Sequence, residues 1–318
     1  MLGPALLLLL GLGLLWLGAE CLVRGAAHLA RALGVSALVV GLTIVAFGTS
    51  TPEFVVSVWA AARGNTEITV GNVIGSNITN ISLGVGLIAL LAPLPIGLKL
   101  LQREVPLLLA VTLVFYALAW RLEFARWTGW LFLLGFITFL VLVLRWARRE
   151  SPAIENEFAA FEHKKQFKQG RATPPWLLVA IGSAVLLVGA QQTVTSAVAL
   201  AQALGVAEVV IGASAVAVGT SLPELATCWV AAYRKQLDIG IGTLVGSNLF
   251  NILAIFGSAA ALRPILLRSE TLHFEFAALL IFTVALAIAA RTAQRVSRVE
   301  GLLLLASYFV FLVLLFRR

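Results

Sequence analysis

Residues 48–53 read GTSTPE and residues 219–224 read GTSLPE. The two hexapeptides lie 171 positions apart, and the register between them extends outward without a gap. Residues 33–50 (LGVSALVVGLTIVAFGTS) meet residues 204–221 (LGVAEVVIGASAVAVGTS), with 10 of the 18 positions identical. Residues 71–81 (GNVIGSNITNI) meet residues 242–252 (GTLVGSNLFNI) at the same offset. Chance likeness between apolar segments does not keep Thr, Ser, Glu and Asn in register, whereas an internal repeat does.

The chain around the repeat has the composition of a protein dissolved in lipid. Of its 318 residues, 60% are hydrophobic and 12% charged, with a mean hydropathy of +1.00. Soluble domains carry about 45–50% apolar and about 25% charged residues. A spanning helix needs about 20 predominantly apolar residues. Ten such runs can be drawn, near 3–23, 33–62, 68–92, 105–120, 127–146, 175–201, 205–232, 239–262, 273–290 and 299–316, so each half holds five. An odd number of spans turns the second half upside down in the membrane, and transporters built this way place the substrate site near the midplane between the repeats. The expected fold is an all-α integral membrane protein with ten transmembrane helices as two inverted five-helix repeats. Its parts are residues 1–147, a cytoplasmic linker over 148–174, and residues 175–318.

The net charge of +8 does not point to nucleic acid, because the basic residues fall between the apolar runs. With the N-terminus outside, 16 of the 23 Lys and Arg fall on the inner side, among them Arg24, Arg31, Lys99, Arg103, Arg234 and Lys235. That excess follows the positive-inside rule. Both termini are therefore expected outside the cell (inner or plasma) membrane. The first twenty residues lack a basic lead and a small-residue cleavage site, and they read as the first span rather than a signal peptide. The linker, which ends at Pro174-Pro175, reads as solvated, with room for an amphipathic surface helix. Cys21 and Cys228 lie in different halves, in apolar surroundings, and give no disulfide or metal framework.

Glu53 and Glu224 lie inside long apolar segments at matched positions. A charge at the centre of a spanning helix costs about 2.5–3.5 kcal/mol on insertion scales, and such residues are functional candidates by default. No Lys or Arg lies in the apolar middle of either segment. Residues three and four apart share a helix face, so Thr49 and Ser50 are expected beside Glu53, and Thr220 and Ser221 beside Glu224. Pro52 and Pro223 lack an N–H and crowd the carbonyl four residues back, which frees backbone oxygens near Gly48 and Gly219. Ser76 and Asn80 are four apart, as are Ser247 and Asn251. Asn77 and Asn248 point elsewhere and read as bridges between helices, and Gly71, Gly75, Gly242 and Gly246 as positions of close helix packing. Glu20, four residues before Arg24, reads as a helix-end pair. Carboxylates, hydroxyls, amides and carbonyls together suit Ca²⁺, which takes about 6–8 oxygen ligands, and the same hard oxygens suit Na⁺. No Cys or His cluster invites a softer metal. Two carboxylates can hold one Ca²⁺ or several Na⁺ in turn, and mutual exclusion of the two loads is the physical basis of antiport.

At these residues the chain resembles the cation/calcium exchanger superfamily, the prokaryotic ten-helix sodium/calcium exchangers in particular. The resemblance rests on GTSTPE with GSNITN and GTSLPE with GSNLFN, and it covers nearly the whole chain. It implies a cluster of four ion sites with ligands from Thr49, Ser50, Glu53, Ser76 and Asn80, and from Thr220, Ser221, Glu224, Ser247 and Asn251. It adds the backbone carbonyls of Ala46 and Ala217. It also implies alternating access by sliding of the first and sixth helices. Members of this type can carry Asp where Asn251 stands, so this site has two carboxylates rather than three. The expected cargo is Ca²⁺ and Na⁺, with H⁺ or K⁺ as family alternatives. No cofactor, nucleic acid or obligate protein partner is expected besides the lipid bilayer.

Three other functions stay open on the residues alone. A Ca²⁺/H⁺ or other cation/H⁺ antiporter could use the same two glutamates, since carboxylates withdrawn from water can take up protons. An intramembrane enzyme is disfavoured, because His28, His163 and His273 do not cluster and no nucleophile–base pair is visible. A channel would lack saturable dependence on an ion at the opposite face.

Overall fold

Apolar segments in lipid have no partner for their backbone but themselves, so they fold as helices. The computed structural model describes residues 2–162, 173–204 and 219–317. The first repeat runs through α1 (Leu2–Leu33), α2 (Ala37–Thr49), α3 (Thr51–Ala62), α4 (Thr66–Leu91), α5 (Leu100–Ala119) and α6 (Arg126–Glu162). The second follows as α7 (Pro175–Ala203), α8 (Leu222–Tyr233), α9 (Leu237–Leu262), α10 (Ser269–Arg291) and α11 (Arg298–Phe316). Among the described residues, eight helices are long and apolar enough to cross a membrane, and α2 with α3 forms one further bent span. The run expected over 205–232 is represented by α8, because residues 205–218 lie outside the described residues.

Two helices outrun their expected ends. The run at 3–23 stays helical to Leu33, so Arg24 and Arg31 sit on α1 rather than in a loop. Arg24 is held there by Glu20 one turn earlier, and Arg31 bonds the Ala27 carbonyl. The helix that starts at Arg126 continues through Glu162 into the segment expected as a linker.

Helices of the two repeats interleave. α9 lies at the centre, with its most apolar stretch wholly buried, and packs on α2 and α8. The end of α9 packs on α6, and the matching end of α4 packs on α11. α1 and α7 form a long pair at the side of this core. Their backbones approach closely at glycines: a Cβ on Gly182 would stand 2.5 Å from the Leu22 nitrogen, and one on Gly189 would stand 2.5 Å from that of Leu15.

Short strands tie the repeats together. β1 (Leu94–Pro95) pairs antiparallel with β4 (Arg295–Val296), and β2 (Glu123–Phe124) with β3 (Ile265–Leu266). The repeat register maps β1 onto β3 and β2 onto β4, give or take one residue. One span, α5, separates β1 from β2, so the two pairs stand at opposite ends of the helices. Each strand therefore pairs with the other repeat, as inversion requires.

The glycine expectation holds for Gly242 and Gly246. Cβ atoms on Gly242 and Gly246 would meet the Leu38 and Leu42 carbonyls at 2.8 and 2.5 Å, whereas those on Gly71 and Gly75 would meet nothing within 4 Å among the described residues. The matching face of α9 receives α2, and the counterpart of α2 in the second repeat falls among residues 205–218. Gly71 and Gly75 instead line a cavity of about 420 Å³ with Glu67, Arg268 and Tyr308.

Candidate ion-binding site

The GTSxPE segments break the helices that carry them. Ser50 leaves helical geometry (φ −83°, ψ 11°), and the axis bends by 50° between α2 and α3. Ser221 does the same (φ −85°, ψ 1°) at the start of α8. Pro52 and Pro223 each fall in the first turn after the break, where a missing N–H costs nothing. Matched π-helical turns start at the amides, over Asn80–Gly84 and Asn251–Phe256. Such turns are frequent at functional sites.

These breaks gather the polar residues of both repeats. Glu53 and Glu224 are each 1% exposed, and Thr49, Ser50, Ser76, Asn80, Ser221, Ser247 and Asn251 are buried with them. Thr220 is half-buried. The two carboxylates lie close enough for their charges to interact. Ala217 lies outside the described residues.

The hydroxyls do not pair as helical spacing suggested. Ser50 donates to Glu224 Oε1 at 2.7 Å, across the repeats, rather than to Glu53. The reason is the break, which falls between Ser50 and Glu53 and removes the shared helix face. Ser247 donates to Glu224 Oε1 at 3.3 Å. The Ser76 and Thr220 hydroxyls stand 3.4 Å apart. Asn80 donates to Asn248 Oδ1 at 3.1 Å, and Asn248 reaches the Asn77 carbonyl at 3.5 Å, so Asn248 does bridge helices. Asn77 bonds its own helix at the Val73 carbonyl. The Ala46 carbonyl accepts the Ser50 N–H at 3.0 Å and the Thr49 hydroxyl at 3.2 Å.

Much of the cluster's bonding capacity is left over. Both oxygens of Glu53, Oε2 of Glu224, Oδ1 of Asn80, the Ser221 hydroxyl and both amide atoms of Asn251 are buried without a hydrogen-bond partner among the described residues. Buried polar atoms are normally paired, and several orphans converging on one place call for an ion or water. The donor set is two carboxylates with neutral oxygens, and no group of three or more His, Cys, Asp or Glu that could hold a metal occurs among the described residues. That chemistry fits a hard cation carried as cargo.

Asn72 and Ser57 belong to the same cluster, and the repeat gave no sign of them. Their register mates are Thr243 and Cys228. Asn72 donates to the Glu53 carbonyl at 3.2 Å and to Ser57 at 2.9 Å, and its Oδ1 faces Thr220 at 3.2 Å. A second matched acidic pair, Glu104 and Glu275, was legible from the same 171-residue offset. Glu104 is buried and Glu275 half-buried.

An inverted repeat with broken helices and a shared oxygen cluster at its centre defines a secondary cation transporter. The model of the sodium/calcium exchanger protein family matches residues 3–145 and 174–317. The chain belongs to that family. It is 37% identical to the putative antiporter CaxA of Alkalimonas amylolytica over 99% of both chains. It is 32% identical to the sodium/calcium exchanger MaX1 of Methanosarcina acetivorans over 98% of both. Among solved structures it resembles the sodium–calcium exchanger NCX_Mj, with a TM-score of 0.83, 29% identity and 98% of each chain covered.

Proposed function

We propose that this chain is a secondary antiporter that exchanges Ca²⁺ for Na⁺ across a cell membrane by alternating access. The observation that carries the reading is the contact between Ser50 and Glu224. It joins the two inverted repeats at 2.7 Å and closes a buried cluster whose remaining oxygens have no protein partner among the described residues. The proposed ligands are the side chains of Thr49, Ser50, Glu53, Ser76 and Asn80 and of Thr220, Ser221, Glu224, Ser247 and Asn251, with the Ala46 and Ala217 carbonyls. The first repeat is assigned to 1–147, the cytoplasmic linker to 148–174 and the second repeat to 175–318, with both termini outside. Loops 92–99 and 292–297, assigned to the inner face by charge, are those joined by β1 and β4, which supports a common side for them. The activity needs no cofactor and no chemical step, only ions and the bilayer.

Proteoliposomes loaded with Na⁺ and diluted into Na⁺-free buffer containing ⁴⁵Ca²⁺ at clamped pH test the reading. Uptake is expected, and it should collapse when external Na⁺ matches internal Na⁺. Uptake driven by a pH gradient, with none under a Na⁺ gradient, would refute Na⁺ coupling and leave a cation/H⁺ antiporter.

A further inference from the structure

We propose that Asn72 is a positioning residue that fixes the Thr220 hydroxyl and the Glu53 turn for the ion, making the two halves of the site inequivalent. This rests on the cluster being the cation site, as proposed above.

The orientation of the Asn72 amide follows from its partners. The Glu53 backbone carbonyl can only accept, so the atom 3.2 Å from it must be Nδ2. The opposite atom is then Oδ1, and it faces Thr220 Oγ1 at 3.2 Å. An amide oxygen has no proton to give, so at this contact Thr220 donates. A hydroxyl has one proton and two lone pairs. With its proton turned to Asn72, the Thr220 oxygen presents its lone pairs to the rest of the cluster, where the Ser76 hydroxyl stands 3.4 Å away. Nδ2 also holds Ser57 at 2.9 Å, and Ser57 lies one turn past Glu53 on α3. A single side chain, 3% exposed, thereby ties the turn that carries Glu53 to a hydroxyl of the opposite repeat.

The second repeat has no such clamp among its described residues. Thr243, the mate of Asn72, donates to its own helix at the Ile239 carbonyl, 2.7 Å away. Cys228, the mate of Ser57, meets the Gly240 carbonyl at 3.3 Å. Glu224 is instead held directly, by Ser50 and Ser247 on Oε1. One carboxylate is thus restrained at its own oxygen. The other is restrained at its backbone, with both side-chain oxygens left for the ion. Asn72 supplies the backbone restraint on the Glu53 side.

The test is a double-mutant cycle on the full-length protein with Asn72→Ala, Thr220→Val and both together. Two readouts are needed: Ca²⁺ KM and kcat in Na⁺-loaded proteoliposomes, and the shift in melting temperature of purified protein on adding Ca²⁺, Na⁺ or K⁺. Asn72→Ala is expected to raise the Ca²⁺ KM by about tenfold, the scale of one hydrogen bond to a charged site, with kcat changed less. In the Thr220→Val background the same substitution should have little further effect. Independent, multiplying effects, or an unchanged KM in Asn72→Ala, would overturn the proposal. Asn72→Thr, which copies the second repeat, is expected to restore folding stability but not the KM, whereas recovery of both would mean that Asn72 only packs. Failure of the Ca²⁺/Na⁺ reading would show separately, as a wild type without Ca²⁺ flux. The clamp would then be judged on the thermal shift by whichever cation binds, and a wild type that responds to none of the three would overturn both proposals.

Discussion

Arg234 grips Glu20 with two parallel contacts, Nε to Oε2 at 2.8 Å and Nη2 to Oε1 at 2.5 Å. Arg24 adds a third contact on the same carboxylate, and nearby Trp16 meets Tyr233 edge-on at 5.4 Å. The register mates of Glu20 and Arg234 are Gln191 and Arg63. Gln191 has no charge to offer, and Arg63 lies over the Trp59 ring at 4.5 Å. α1 is therefore bound to the end of α8 at one face by charge, and the matched position at the other face lacks the acid. Glu20→Gln is expected to alter apparent ion affinity on the Arg234 face more than on the opposite face. A change of about fivefold, the lower end of ordinary coupling between sites, is expected. Transport assayed in both orientations of sided proteoliposomes checks this, and equal changes at the two faces would contradict it.

Glu53→Gln and Glu224→Gln each remove one of the two carboxylates of the proposed ion site. A hydrogen bond to a charged group contributes about 1.5–3 kcal/mol, so apparent Ca²⁺ affinity should fall by about 10–100-fold in each. Circular dichroism and gel filtration should show an intact fold. Flux at wild-type level in either variant would remove that glutamate from the site.

Ser50 and Ser221 are register mates with different partners. Ser50 is bonded to Glu224, and the Ser221 hydroxyl has no partner among the described residues. Ser50→Ala is expected to lower the melting temperature of the ion-free protein through loss of a bond of about 1.5–3 kcal/mol. Ser221→Ala should leave that temperature nearly unchanged. Both should weaken Ca²⁺ binding. Equal destabilisation by the two would mean that the cross-repeat bond does not exist in the ion-free state.

Asn251 is buried with both amide atoms unpaired among the described residues. Asn251→Asp places a third carboxylate in the site and with it a further ionisation. The aspartate is charged above its pKa and neutral below it, so Ca²⁺ affinity should rise with pH through that step. The wild type should lack this added step. Ca²⁺ uptake across pH 5–9 at a fixed Na⁺ gradient, compared between the two proteins, measures it.

Gly182 touches the Leu22 backbone, and a Cβ there would stand 2.5 Å from its nitrogen. Gly182→Val is expected to push α1 and α7 apart, at a cost of about 1–3 kcal/mol for overpacking, and to reduce turnover more than ion affinity. Gly13 has open space around its Cβ position among the described residues, so Gly13→Val should be tolerated. Equal effects of the two substitutions would show that the contact does not constrain the helices.

The repeat made the fold legible, because polar residues stay in register inside apolar runs only where two segments build the same structure. It also made Glu53, Glu224 and the paired Ser76/Asn80 and Ser247/Asn251 legible. Apart from the matched pair Glu104 and Glu275, what escaped was mostly what the repeat does not duplicate. Asn72 has Thr243 as its mate, so nothing in the register distinguished it. Arg234 meets Glu20 across 214 positions of chain, and only packing brings such residues together. Ser50 was expected beside Glu53 because helical spacing says so, but the spacing argument fails at the break that the same motif creates. Extra turns of helix beyond residues 23 and 146 were hidden by basic residues that look like loop.

The strand pairs bear on how such a molecule could have been assembled. β1 and β2 belong to one repeat, stand at opposite faces, and pair with strands of the other repeat. A half-length ancestor would have carried one unsatisfied strand edge on each side of the membrane. A second identical copy inserted upside down satisfies both edges at once and brings a second GTSxPE break to the same depth. On such a route the two-residue strands correspond to the contacts between the two copies. The unmatched residues, Asn72 and Glu20 among them, mark where the fused copies have since specialised.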